Sequence, residues 1–134
     1  MRDQNATKRT SGQTAAGIAF SAAIDTRAPK GVGDLAGRAK LFIAIPAIPG
    51  LSAASTVALS LEDSDDGSTW AAVAAYPITT VTGVGGTGSP AALAQLEWSS
   101  KLRRYIRVKE VLTGSNATAW QYDFGVELGS APGV

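Results

Sequence analysis

The chain has 134 residues, 45% of them hydrophobic, and a formal net charge of +1. That length fits one domain with a core of its own, and the near-neutral balance argues against wholesale binding to nucleic acid or a membrane. The absence of Cys and His excludes disulfides, thiolate zinc sites, Cys nucleophiles and His-dependent acid–base chemistry.

Residues 1–13 are polar and without period, which predicts a flexible arm able to order on a partner surface. The segment has no apolar h-region and does not read as a signal peptide. Ile18, Phe20, Ala22 and Ile24 share one parity, predicting a first strand with these side chains inward. Pro29, Gly31, Gly33 and Gly37 mark a loop over residues 26–37. In residues 38–45, Ala39, Leu41, Ile43 and Ile45 alternate against Arg38, Lys40, Phe42 and Ala44. Both faces turn apolar toward the end, as expected of a central strand, and Pro46 and Pro49 close it. This apolar run, extended to Leu51, is far too short to span a bilayer, so a soluble protein is expected.

Residues 57–73, VALSLEDSDDGSTWAAV, read as strand, acidic turn, strand. Val57, Leu59 and Leu61 share one face, Asp65, Asp66, Gly67 and Ser68 supply turn chemistry, and Trp70 reopens the apolar face, so a β-hairpin is predicted. Its second arm should run to Tyr76 and stop at Pro77, with a short strand over residues 78–81. Residues 83–90, GVGGTGSP, read as a flexible loop. They lack the Lys and following helix of a phosphate-binding glycine loop.

A strand is expected over residues 93–98 and another over 103–112, RRYIRVKEVL, with Ile106, Val108 and Leu112 opposite Arg103, Tyr105, Arg107 and Lys109. Gly114, Ser115 and Asn116 make a turn. In the last strand Trp120, Tyr122, Phe124, Val126 and Leu128 alternate with Ala119, Gln121, Asp123, Gly125 and Glu127, and should anchor the core. The resulting expectation is an all-β antiparallel two-sheet sandwich of seven or eight strands over residues 14–129, with a flexible N-terminal arm and a tail at 130–134. Without a Cys…Trp…Cys framework, the jelly-roll type is favoured over the immunoglobulin type.

The cluster Glu62, Asp63, Asp65 and Asp66 fails the EF-hand pattern, because Gly67 in sixth place puts Ser64 third and Val73 twelfth. A solvated hairpin tip explains it better, and no metal is expected. The stripe Lys101, Arg103, Arg104, Arg107 and Lys109 suits a guarded sheet face or a partner's carboxylates. Arg103 and Arg107 flanking Tyr105 would also suit single-stranded nucleic acid, the weaker reading for this stripe. The carboxylates are not arranged as a glycosidase pair, and no enzyme is expected.

The stretches LSLEDSDDGSTWAAV and RYIRVKEVLTGSNATA resemble the small jelly-roll decoration, or cement, proteins of tailed double-stranded DNA phages. In that family a strand ends in SDDG before an aromatic, and a later strand reads RYIR before a TG turn. The opening AFSAAIDTRAPKGVGDLAGRAKL is similar to the family's first strand, Asp-containing loop and second strand, so the resemblance covers most of residues 15–128. It implies a structural virion protein on the outer capsid surface, bridging neighbouring capsomers against internal DNA pressure. It also implies the major capsid protein as partner and a homo-oligomer, a dimer ahead of a trimer, with no catalytic residues, cofactor or small-molecule substrate. Candidate contacts are Arg2, Lys8 and Arg9 on the arm and Arg103, Tyr105 and Arg107 on the basic stripe. The alternative is a discoidin-like carbohydrate-binding module, in which SDDGSTW and RYIRV also occur. A sialidase-type Asp box fits less well, since Ser64, Asp66, Gly67, Thr69 and Trp70 miss its spacing by one and no propeller repeat exists.

Overall fold

A strand that alternates apolar and polar side chains buries one face only, so several of them are stable only when two such faces meet. The computed structural model describes residues 2–25, 39–73, 79–97 and 102–128. Ten strands occur among them: β1 (Arg2–Ser11), β2 (Ala15–Phe20), β3 (Ile24–Asp25), β4 (Ala39–Ile45), β5 (Thr56–Ser64), β6 (Ala71–Ala72), β7 (Thr79–Thr82), β8 (Ala92–Glu97), β9 (Tyr105–Ser115) and β10 (Gln121–Leu128). They pair antiparallel throughout, in one sheet ordered β1-β10-β4-β8 and another ordered β2-β9-β5-β6, with β3 also on β9 and β7 also on β5. The chain is therefore the expected all-β antiparallel sandwich. The loop over residues 26–37, Tyr76, Pro77, Trp98, Lys101 and the tail lie outside the described residues.

The core lies between the sheets. Val57, Leu59 and Leu61 of β5, Ile106, Val108 and Leu112 of β9, and Tyr122, Phe124 and Val126 of β10 are all buried on the predicted parities. β4 is central in its sheet, and Leu41, Phe42, Ile43 and Ile45 are buried, so both its faces are covered as its composition requires.

Four expectations are corrected. Residues 2–11 are the edge strand β1, paired with β10 from Ser11↔Gln121 to Thr7↔Gly125, with a register shift before Arg2↔Glu127. Main-chain pairing needs no apolar period, so a polar sequence concealed this strand. The expected seven or eight strands become ten among the described residues, because β1 was concealed in this way and the predicted first strand is broken into β2 and the two-residue β3. Ile18 and Phe20 are not in the core but 59% and 45% exposed. β2 ends at Phe20 because Ser21 Oγ accepts the Val108 N–H at 2.9 Å and donates to Ala22 O at 3.0 Å. The kink over residues 22–23 resets the parity, so Ile24 is buried while Ile18 and Phe20 face outward. Residues 83–90, read as a flexible loop, form a turn bridged at Val84↔Gly88 and tied to the β4–β5 connection at Ile48↔Ser89.

The strap over residues 12–14 carries the chain from one sheet to the other, and Gln13 holds it. Its carbonyl accepts the Trp120 indole N–H at 2.9 Å and the Asn116 amide at 3.2 Å, while its N–H reaches Glu110 Oε2 at 2.9 Å. A Cβ on Gly12 would sit 1.8 Å from the Trp120 ring, so only glycine lets the strap close over it.

Candidate functional site

The β5–β6 hairpin brings the acidic tip against the start of β9, where Arg103 and Arg107 of the basic stripe pair with its carboxylates. The β5–β9 register sets Glu62 opposite Arg107 and Ser64 opposite Tyr105. Arg103 donates Nε–H to Asp63 Oδ1 at 2.9 Å, its main-chain N–H to Oδ2 at 3.1 Å, and Nη2–H to Asp63 O at 2.9 Å. Asp65 adds a looser contact with Arg103 at 3.5 Å. Arg104 makes a two-point pair with Asp25 at 2.9 and 2.7 Å. Charge-assisted, two-point pairs of this kind fix geometry better than lone surface contacts. Hydrogen bonding to the Asp partners raises the pKa of Arg103 and Arg104 further above its ordinary value.

At the tip, Asp66 Oδ1 accepts the N–H groups of Ser68 at 2.8 Å and Thr69 at 2.9 Å, and Ser64 Oγ accepts that of Gly67 at 2.9 Å. The Thr69 and Ser68 amides, with the Ser64 hydroxyl, pull the Asp66 carboxyl down to about 2. Gly67 has φ 77°, in the left-handed region, and a Cβ there would meet the Tyr105 ring only at an ordinary 3.7 Å. Gly67→Val should therefore cost at least about 1–2 kcal/mol through backbone strain alone. Gly67→Asn should cost clearly less, because Asn tolerates that conformation. Urea denaturation of both variants checks this; equal losses would move the turn elsewhere. Among the described residues no group of three or more acidic side chains is placed to hold a metal ion.

The outer face of the six-stranded sheet carries the most distinctive arrangement. The Arg107 guanidinium lies 3.8 Å from the Phe20 ring centre and 4.3 Å from that of Trp70, and its Nε–H meets Glu62 Oε1 at 2.8 Å. Arg107 thus lies over two aromatic rings, each cation–π contact adding about 0.5–1 kcal/mol at such a site. Exposed Ile18 lies beside it on β2. Phe20 and Ile18 were missed as site residues because they were read as core.

The basic residues on β1 belong to the other sheet. Lys8, half-buried, faces the core side, while Arg9 faces outward and pairs with Asp123 at 2.9 and 3.1 Å. That pair borders a shallow concavity of about 430 Å³ lined by Arg9, Ala44, Ile45, Pro46, Gln121 and Asp123. Arg2 is placed on β1 by its main chain only. The structure therefore brings Arg103, Tyr105 and Arg107 together at one end of β9, and sets Arg9 on the opposite outer face of the sandwich. No family model matches the chain, and no curated protein is similar to it in sequence.

Proposed function

We propose that this protein decorates and cements a phage capsid, binding the major capsid protein on the outer surface of the assembled shell. The proposed contact is the outer face of the six-stranded sheet, and the sandwich is read as a jelly roll in its strand path. The observation that carries this reading is the Phe20–Arg107–Trp70 stack beside exposed Ile18. Interface hot spots favour aromatic and Arg side chains. An Arg already fixed by Glu62 and two rings loses little further freedom on binding. Specificity for the assembled shell follows when one rigid face spans two neighbouring subunits, whose relative geometry exists only after assembly.

The test mixes purified protein with undecorated capsids and pellets them. Saturable binding, greater heat resistance of decorated shells, and at least tenfold weaker binding by Phe20→Ala are expected. Failure to pellet, together with a hit on a glycan array, would replace this reading by the carbohydrate-binding module. Removing residues 1–13 is a poor test, because it strips β1 and Gln13 from the fold.

A further inference from the structure

We propose that the outer face of the six-stranded sheet holds a carboxylate-binding site, made by the Nη groups of Arg107 and the ammonium of Lys109, whose ligand is an Asp or Glu side chain of the capsid protein. The inference rests on the docking face named above and adds the chemistry of what that face receives.

The site follows from where the charges of β9 are already committed. Alternation puts Tyr105, Arg107 and Lys109 on the outer face, between the buried Ile106, Val108 and Glu110. Arg103 is taken by Asp63, and Arg104 by both oxygens of Asp25. Arg107 gives only its Nε–H to Glu62. Its two Nη groups make no hydrogen bond among the described residues, and neither is enclosed, the side chain keeping 20% of its surface exposed. Contacts with Phe20, Trp70 and Glu62 restrain the guanidinium. The free Nη–H fork is therefore preorganised for a planar, two-point acceptor such as a carboxylate.

Lys109 stands two residues further along β9 on the same face, about 7 Å away. Its register partners are Phe20 on β2 and Ser60 on β5, neither of them acidic, and it has no ion pair among the described residues. Arg104 and Arg107 have a carboxylate each, so the uncompensated positive charge here is that of Lys109. The hairpin tip is negative, with Asp65 and Asp66 exposed, and its Gly67 lies against the Tyr105 ring. Tyr105 is four residues from Lys109, about 14 Å, beyond a Debye length of about 8 Å. The tip therefore directs an incoming carboxylate to the Lys109 end, where exposed Ile18 and Phe20 flank it with apolar surface. A protein carboxylate fits this site better than nucleic acid does. Glu62, 2.8 Å from Arg107 Nε, opposes further negative charge, and one uncompensated cation gives no track for a phosphate backbone.

A zero-length cross-link on the wild type and capsid pelleting of three variants test this. Treating decorated capsids with a carbodiimide, which condenses an amine with a carboxyl group, should join Lys109 to an Asp or Glu of the capsid protein, read by mass spectrometry of the digest. Lys109→Met, which keeps the aliphatic stem, should bind undecorated capsids at least about tenfold more weakly and with a shallower salt dependence, while Lys109→Arg should stay within about threefold of wild type. Lys40→Met, on the other sheet, should bind as the wild type does. A wild type that never binds capsids would overturn the functional reading and this proposal with it. A wild type that binds while Lys109→Met binds equally well, or that gives no Lys109 cross-link, would overturn the carboxylate site and leave the functional reading standing. Binding of a single-stranded DNA oligonucleotide that Lys109→Met abolishes would also overturn it, and assign the two cations to phosphate.

Discussion

Phe124→Ala is expected to lower stability by about 3–5 kcal/mol, whereas Gln121→Ala on the same strand should cost less than about 0.5 kcal/mol. Phe124 is 1% exposed and lies in the middle of β10, the strand flanked by β1 and β4. Its register partner Ile43 is buried on the same side, within the core cluster. Truncation removes the ring's transfer free energy and leaves a void that neighbours held by two ladders cannot collapse to fill. Gln121 is exposed on the other parity. Chemical denaturation of both variants checks the contrast, and small, equal losses would show the parity of β10 to be wrong.

How much could be read in advance depended on what each strand is held by. β5, and β10 as far as Val126, are buried on one face, so alternation in the sequence is the same fact as burial in the fold. β2 defeated that reading because Gly17 and Ala19 make its inner face small, while its two large side chains face solvent at an edge. β1 is held by main-chain pairing with β10, which polar side chains neither favour nor reveal. The acidic tip and the basic stripe were each visible as charge. That they neutralise each other depends on the β5–β9 register, which joins residues 40 to 45 positions apart and leaves no local signal. One signal could have been used. Between Val108 and Leu112, the core parity of β9 passes through Glu110.

Glu110→Gln should therefore stabilise the protein at neutral pH, by on the order of 1–3 kcal/mol, because a neutral amide replaces a carboxylate whose charge is desolvated by burial. Glu110 is wholly buried between the sheets. Oε2 accepts the Gln13 N–H, but Oε1 has no partner. Burial raises the Glu110 carboxyl above its ordinary 4.5, with Gln13 opposing. Burial first, and then the charge of Glu110, raises the Tyr122 phenol in turn. A carboxyl whose pKa is higher folded than unfolded binds more protons in the folded state. Its contribution to stability is fully present below 4.5 and is lost as pH rises through the folded value. Asp66 works in the opposite sense at lower pH, since its pKa is lowered from 3.8 to about 2, and its stabilisation is lost as pH falls through that range. The two windows are separate, so the Glu110 effect is read between 4.5 and neutral pH. A Gln side chain keeps an acceptor for Gln13, carries no charge to desolvate, and does not titrate. The stability difference between Glu110→Gln and wild type should accordingly grow as pH rises from 4.5 and level off above the folded pKa. Urea denaturation of both proteins across that range measures it. A difference that stays constant with pH would show that Glu110 titrates in the folded protein as it does in the unfolded chain.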